Sequence, residues 1–112
     1  MSLNDTSGGT FSENDISKFV SYHIKEIRTV SPYGETYSLR REKYNSVDPA
    51  LEKHYNSYVK IAKIEADSYA LQGYNEYEAD KLWRQKLHEL AHDWLLKNAQ
   101  NYGCVYSVER NE

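Results

Sequence analysis

From Asn75 to Tyr102 the chain reads NEYEADKLWRQKLHELAHDWLLKNAQNY, and Ala79, Leu82, Trp83, Leu87, Leu90, Ala91, Trp94 and Leu95 recur there at steps of three and four. Side chains so spaced stack on one face of a helix with about 3.6 residues per turn. The stretch therefore predicts a long amphipathic helix near 76–100, and the rest of the chain must provide a surface to bury its stripe. Asn75 is placed to accept a backbone N–H at its start, Glu76 and Glu78 sit in the positively polarised first turn, and Gly103 follows as a terminator.

Two further helices are legible. Ser12-Glu13-Asn14-Asp15 resembles a capping box with Asp in place of Glu, and Ile16, Phe19, Val20, His23, Ile24 and Ile27 follow at helical steps. This predicts a helix near 13–29, stopped by Pro32 and Gly34, with His23 in the middle of its apolar stripe as a core residue. Asp48-Pro49 opens another near 49–72, where Leu51, Tyr55, Tyr58, Val59, Ala62, Ala66, Tyr69 and Ala70 mark one face and Gly73 ends the run. Ile61, Ile64 and Leu71 lie well off that face, and Ser68 continues their row. The favoured account makes this the middle helix of a bundle, touching both neighbours; the other makes the row a contact for a second copy or another protein.

Between the first two helices, residues 35–47 are a connector: Tyr37 and Leu39 alternate as in a strand at 36–39, while Tyr37, Arg41 and Tyr44 would share one face of a short helix, so period leaves both open; Cys104 to Glu109 alternates like a strand that could pair with 36–39 as a two-stranded ribbon or lie across the bundle. The fold class expected is mostly α: a single three-helix bundle, packed up, down, up, spanning 12–108. Residues 1–11, rich in Ser, Asn, Thr and Gly, are expected as a mobile leader, and 109–112 as a frayed tail.

A chain of 112 residues supports one core. Its net charge of -3 gives no broad positive field for gripping phosphates, so nucleic-acid binding would need a local patch. Arg40, Arg41 and Lys43 beside Tyr37 and Tyr44 are the densest such cluster, diluted by Glu35 and Glu42. The turn at 72–75 could set Tyr77, Lys81, Arg84 and Gln85 against a groove, but the acidic Glu76, Glu78 and Asp80 oppose phosphates there. No apolar run approaches a membrane span, the opening residues do not read as a signal peptide, and a lone Cys104 forms no intrachain disulfide, so a cytoplasmic setting is expected. The five glycines make no phosphate-cradling loop.

One chemical motif stands out: His88-Glu89-Leu90-Ala91-His92, a literal H-E-x-x-H. Residues four apart lie one turn apart, so two imidazoles can ligate zinc while the Glu activates its water. At about 100° per residue, however, His88 falls on the flank of the apolar stripe and His92 almost opposite it, beside Lys81, Gln85 and Glu78. Both imidazoles are therefore expected to face water. A metzincin continuation fails at Leu95 and Asn98, and a third ligand is offered only by Glu109 or Glu112.

Tyrosine is the compositional outlier, with 11 copies against 2 Phe and 2 Trp. Its ring buries like Phe while its hydroxyl must stay wet or paired, which suits contact surfaces. The leading expectation is a small cytosolic interaction or regulatory protein without a cofactor. It would bind another protein, or itself as a homo-oligomer, through Ile61, Ile64, Leu71, Tyr74 and Tyr77, with Arg40 and Arg41 as a second patch. The alternatives are a nucleic-acid-binding regulator using Arg40, Arg41 and Lys43, and a zinc-dependent hydrolase using His88, Glu89 and His92.

Overall fold

The computed structural model describes residues 11–31, 34–42 and 46–110. Its elements run α1 (Glu13–Ser21), β1 (Glu26–Val30), β2 (Glu35–Arg41), α2 (Ala50–Ala70), α3 (Glu76–Asn98), a 3-10 turn (Ala99–Tyr102) and β3 (Cys104–Arg110). Among the described residues three α-helices are present, but a three-stranded antiparallel sheet in the order β1-β2-β3 makes the fold mixed α and β rather than a pure bundle.

The helix starts follow the local chemistry. Ser12 Oγ accepts the Asp15 N–H at 3.1 Å while Asp15 accepts the Ser12 N–H at 3.0 Å, a reciprocal cap. Asp48 accepts the Ala50 N–H at the head of α2, and Asn75 accepts that of Glu78 at the head of α3. The turn between α2 and α3 needs Gly73: a Cβ there would lie 2.5 Å from the Ala79 backbone nitrogen. Gly103 takes the left-handed conformation at φ 82 that closes the 3-10 turn before β3.

The first helix stops earlier than its periodicity predicts. It ends at Ser21, His23 sits exposed at φ 55, and Glu26 to Val30 becomes β1, whose expected helical stretch is thus corrected. Ile27 fits a helical stripe and a strand alternation equally well. Pairing with β2, Ile27 opposite Leu39 and Arg28 opposite Ser38, satisfies the backbone of a β-branched run that a helix would accommodate less readily. The ribbon of 36–39 and 104–109, one of the two arrangements open to the latter, is present as β2 against β3, with Leu39 opposite Tyr106 and Thr36 opposite Glu109. That pairing continues to Glu35 opposite Arg110, so Glu109 and Arg110 belong to the sheet rather than to a frayed tail. Residues 111–112 and the expected leader over 1–10 lie outside the described residues. Phe11, counted with that leader, is 3% exposed and belongs to the core.

The core gathers Ile16 and Phe19 of α1, Tyr37 and Leu39 of β2, Leu51, Tyr55 and Val59 of α2, Ala91 and Leu95 of α3, and Cys104. All of it lies toward the end of the α2/α3 hairpin where α2 begins and α3 finishes. Beyond Val59 the hairpin continues as an arm closed by the small Ala62 and Ala66. Polar contacts pin it further: Trp83 Nε1 donates to Asp67 at 2.9 Å, and the Lys86 ammonium lies 4.5 Å over the Tyr69 ring. The molecule is accordingly elongated, 49 × 33 × 24 Å.

Candidate functional site

Along the arm, the row of large apolar side chains off the main stripe of α2 stands largely exposed among the described residues. Ile61 is 63% exposed, Ile64 70% and Leu71 86%, and past the turn Tyr74 is 92% and Tyr77 77% exposed. The favoured account of this row as bundle interior is thereby corrected. The reason is geometric: Leu51, Tyr55, Val59, Ala62 and Ala66 turn one side of α2 to the core, and Ile61 and Ile64 project from the opposite side, about half a helical turn away. A first helix of nine residues is too short to reach around and cover them. Singly exposed apolar residues are ordinary; a row of them along one element is less so.

The histidines of the H-E-x-x-H string do not face water. His88 and His92 turn toward the sheet, where the Tyr37 ring meets both edge-on at centroid distances of 5.3 and 5.6 Å. The helical wheel placed them on a solvated side because it contains helices only, whereas β2 and β3 lie across that side of α3. His88 Nε2 is 3.1 Å from the Tyr37 hydroxyl, and His92 Nδ1 is 2.8 Å from that of Tyr106. Because Tyr37 gives its single proton to Glu35, its oxygen is left to accept from His88, so Nε2 of His88 carries the hydrogen. While that bond holds, this nitrogen cannot ligate a metal. Glu89 projects outward and pairs with Lys86 at 3.1 Å. Among the described residues no group of three or more His, Cys, Asp or Glu side chains is arranged to hold a metal ion.

Tyr37 and Glu35, read from sequence only as neighbours of the basic patch, and Tyr106 are members of this cluster that sequence reasoning did not connect with the histidines. Their signal was the alternation of β2 and β3, which puts Glu35, Tyr37, Tyr106 and Val108 on one face, but nothing in a linear reading aligns that face with α3. Burial, followed by the neighbouring His92, holds the His88 imidazole below its ordinary value near 6.5; Glu35, Glu89 and Asp93 partly oppose this. The unfolded chain then binds more protons than the folded one just below that pH, so stability falls as pH drops below about 6.5 until the folded value is passed. Urea midpoints measured from pH 8 to 5 should show this fall, and His88→Gln should flatten it. An unchanged slope in the variant would mean that His88 titrates as freely in the fold as out of it.

The basic patch divides. Arg40 is exposed on the outer face of the sheet, in register with Glu26. Arg41 turns inward: its Nε donates to the Ile24 carbonyl and its Nη2 to that of Phe19, both at 2.9 Å, and its guanidinium lies 5.1 Å over the Phe19 ring. Arg41 therefore joins α1 to the sheet and is not a free cation. Lys43 lies outside the described residues. Cys104 is buried beside the same region, its thiol pushed up to about 11 by burial, which suits packing and not nucleophilic attack.

A cavity of about 330 Å³, unforeseen from sequence, opens beside α1, lined by Phe11, Tyr55, Val59, Leu87 and Ala91 with Lys63, Trp83, Arg84 and His88. Lys63 is engaged with Glu13 at 3.4 Å and Arg84 with Asp80 at 2.7 Å, so both its cations have partners.

Fold and surface together define a small mixed module: a sheet-backed core carrying a helical arm with an uncovered apolar face. No described helix is long and apolar enough to cross a membrane. Compared with protein-family models, curated proteins and solved structures, the chain matches none.

Proposed function

We propose that this chain is an interaction module, of a small regulatory kind, that docks a polypeptide on the outer face of its helical arm. The observation that carries the reading is the uncovered row Ile61, Ile64 and Leu71, continued around the turn by Tyr74 and Tyr77. Large apolar and aromatic side chains held on helices and the short turn joining them lose little entropy on docking and bury much area, as interface anchors do. The hydroxyls of Tyr74 and Tyr77 keep this surface wettable while it is free. A lone buried cysteine fits a reducing compartment such as the cytosol.

The nucleic-acid alternative loses a cation, since the half-buried Arg41 is bound to the Ile24 and Phe19 carbonyls, and the zinc alternative finds His88 engaged through Nε2; no observation favours either over docking. Capture from a cell extract, comparing the intact protein with a Leu71→Ser/Tyr74→Ser/Tyr77→Ser variant, tests the proposal. These substitutions lie at exposed positions, so melting should move little. A polypeptide retained by the intact protein and lost by the variant supports docking at the arm. Identical recovery by both would remove this face from the function.

A further inference from the structure

We infer that the α2 portion of this face is occupied by a second copy of the same chain, as an antiparallel α2 to α2 pair around a two-fold axis. The inference rests on the reading of the arm as a docking surface and names its occupant. Ser57, Ile61, Ile64, Ser68 and Leu71 follow one another at alternating steps of four and three, the spacing of a coiled-coil seam, and all five are exposed. They form the line of α2 directly opposite its core face, so a neighbouring helix can lie along them without disturbing the fold.

An antiparallel register follows from the same spacing. With Ile61 of one copy facing Ile64 of the other, a two-fold repeats the contact, and four isoleucines form the centre. Ser57 then faces Ser68 on either side, small residues that let the helices approach. The Ser68 hydroxyl is already bonded to the Glu65 carbonyl at 2.7 Å, so it brings no orphan donor into the seam.

The charges beside the seam choose the orientation. Lys60 and Asp67 occupy equivalent flanking positions one heptad apart, both exposed; Oδ1 of Asp67 accepts from Trp83 Nε1 at 2.9 Å, which leaves Oδ2 to face a cation. In the antiparallel register, Lys60 of each copy meets Asp67 of the other, giving two opposite-charge pairs along one edge. A parallel pair would set Lys60 against Glu65 but leave Asp67 facing Gln72, so the antiparallel arrangement alone gives both flanking charges a partner of opposite sign.

Sedimentation equilibrium over a wide concentration range tests this, with circular dichroism to check folding. The intact chain should approach twice its monomer mass, and Ile64→Asp should return it to monomer. Lys60→Asp alone and Asp67→Lys alone should each raise the dissociation constant about tenfold or more; because Asp67→Lys also removes the acceptor of Trp83 Nε1, Trp83→Phe, which loses the same bond and keeps the charge, should leave the dissociation constant within about twofold. The two charge swaps together restore both pairs with signs exchanged and should recover most of the loss. A monomer at every concentration overturns the inference, as does a dimer indifferent to Ile64→Asp or a double swap no better than the singles. If the chain proves monomeric yet the Leu71/Tyr74/Tyr77 variant still loses a captured partner, the pairing falls while docking at the arm stands.

Discussion

Replacing Tyr55 with alanine is expected to remove about 3–5 kcal/mol of folding stability, the range for emptying a fully packed aromatic site. Tyr55 has no exposed surface, meets the Trp94 ring edge-on at 5.6 Å and donates its hydroxyl to the Phe11 carbonyl at 2.6 Å. It is the position where α2 grips both α3 and the segment leading into α1. Burial, the largest influence on it, pushes its phenol far above the ordinary range, so it remains a donor at any working pH. For a domain this size the alanine variant should melt ~15 °C lower. Tyr55→Phe separates packing from bonding: it keeps the ring but orphans the Phe11 carbonyl, for a loss of about 1–3 kcal/mol. Urea unfolding of the two variants reads both terms. If the alanine variant lost under 1 kcal/mol, Tyr55 would not be packed as described.

Arg41 should be the second large effect, which sets it apart from its neighbour. Arg41→Ala leaves the Ile24 and Phe19 carbonyls without their donor and strips the cation from the Phe19 ring. The expected loss is about 2–4 kcal/mol, since bonds from a charged donor outweigh neutral ones and the site is half-buried. Arg41→Lys should recover little of this, because a single ammonium does not reproduce the forked geometry that reaches one carbonyl in α1 and another in the connection to β1. Arg40→Ala, on the outer face, should stay within about 0.5 kcal/mol. Equal stability of the two alanine variants would show that Arg41 lies as free as Arg40. Any test of nucleic-acid affinity should therefore use Arg40→Ala, because a double alanine variant would confound lost charge with lost fold.

Much of the helical framework could be read directly from the chain. The starts of α2 and α3 were written in Asp48-Pro49 and Asn75, and their junction in Gly73, because capping and turn chemistry involve residues within one helical turn of each other. The alternation of β3 was legible, whereas the period of residues 35–47 fits a strand and a short helix alike, so the β2 to β3 pairing was left open. The end of α1 was not legible, because Ile24 and Ile27 satisfy a helical and an extended pattern alike, and the choice fell to a partner strand. The histidine pair was misjudged for the same reason. A wheel ranks the faces of one helix against each other but carries no information about a strand arriving from the end of the chain.

By itself, then, the sequence determined where α2 and α3 lie, which of their faces are apolar, and that α2 has two such faces. Only the tertiary structure decided that one of these is the core and the other is left to solvent, that His88 and His92 meet tyrosines, and that Arg41 is a strut while Arg40 is not. The division follows from range. Caps and periodicity act between residues a few positions apart, whereas which surfaces are covered depends on β1, β2 and β3 coming together from both ends of the chain, and on α1 ending too soon to reach the arm.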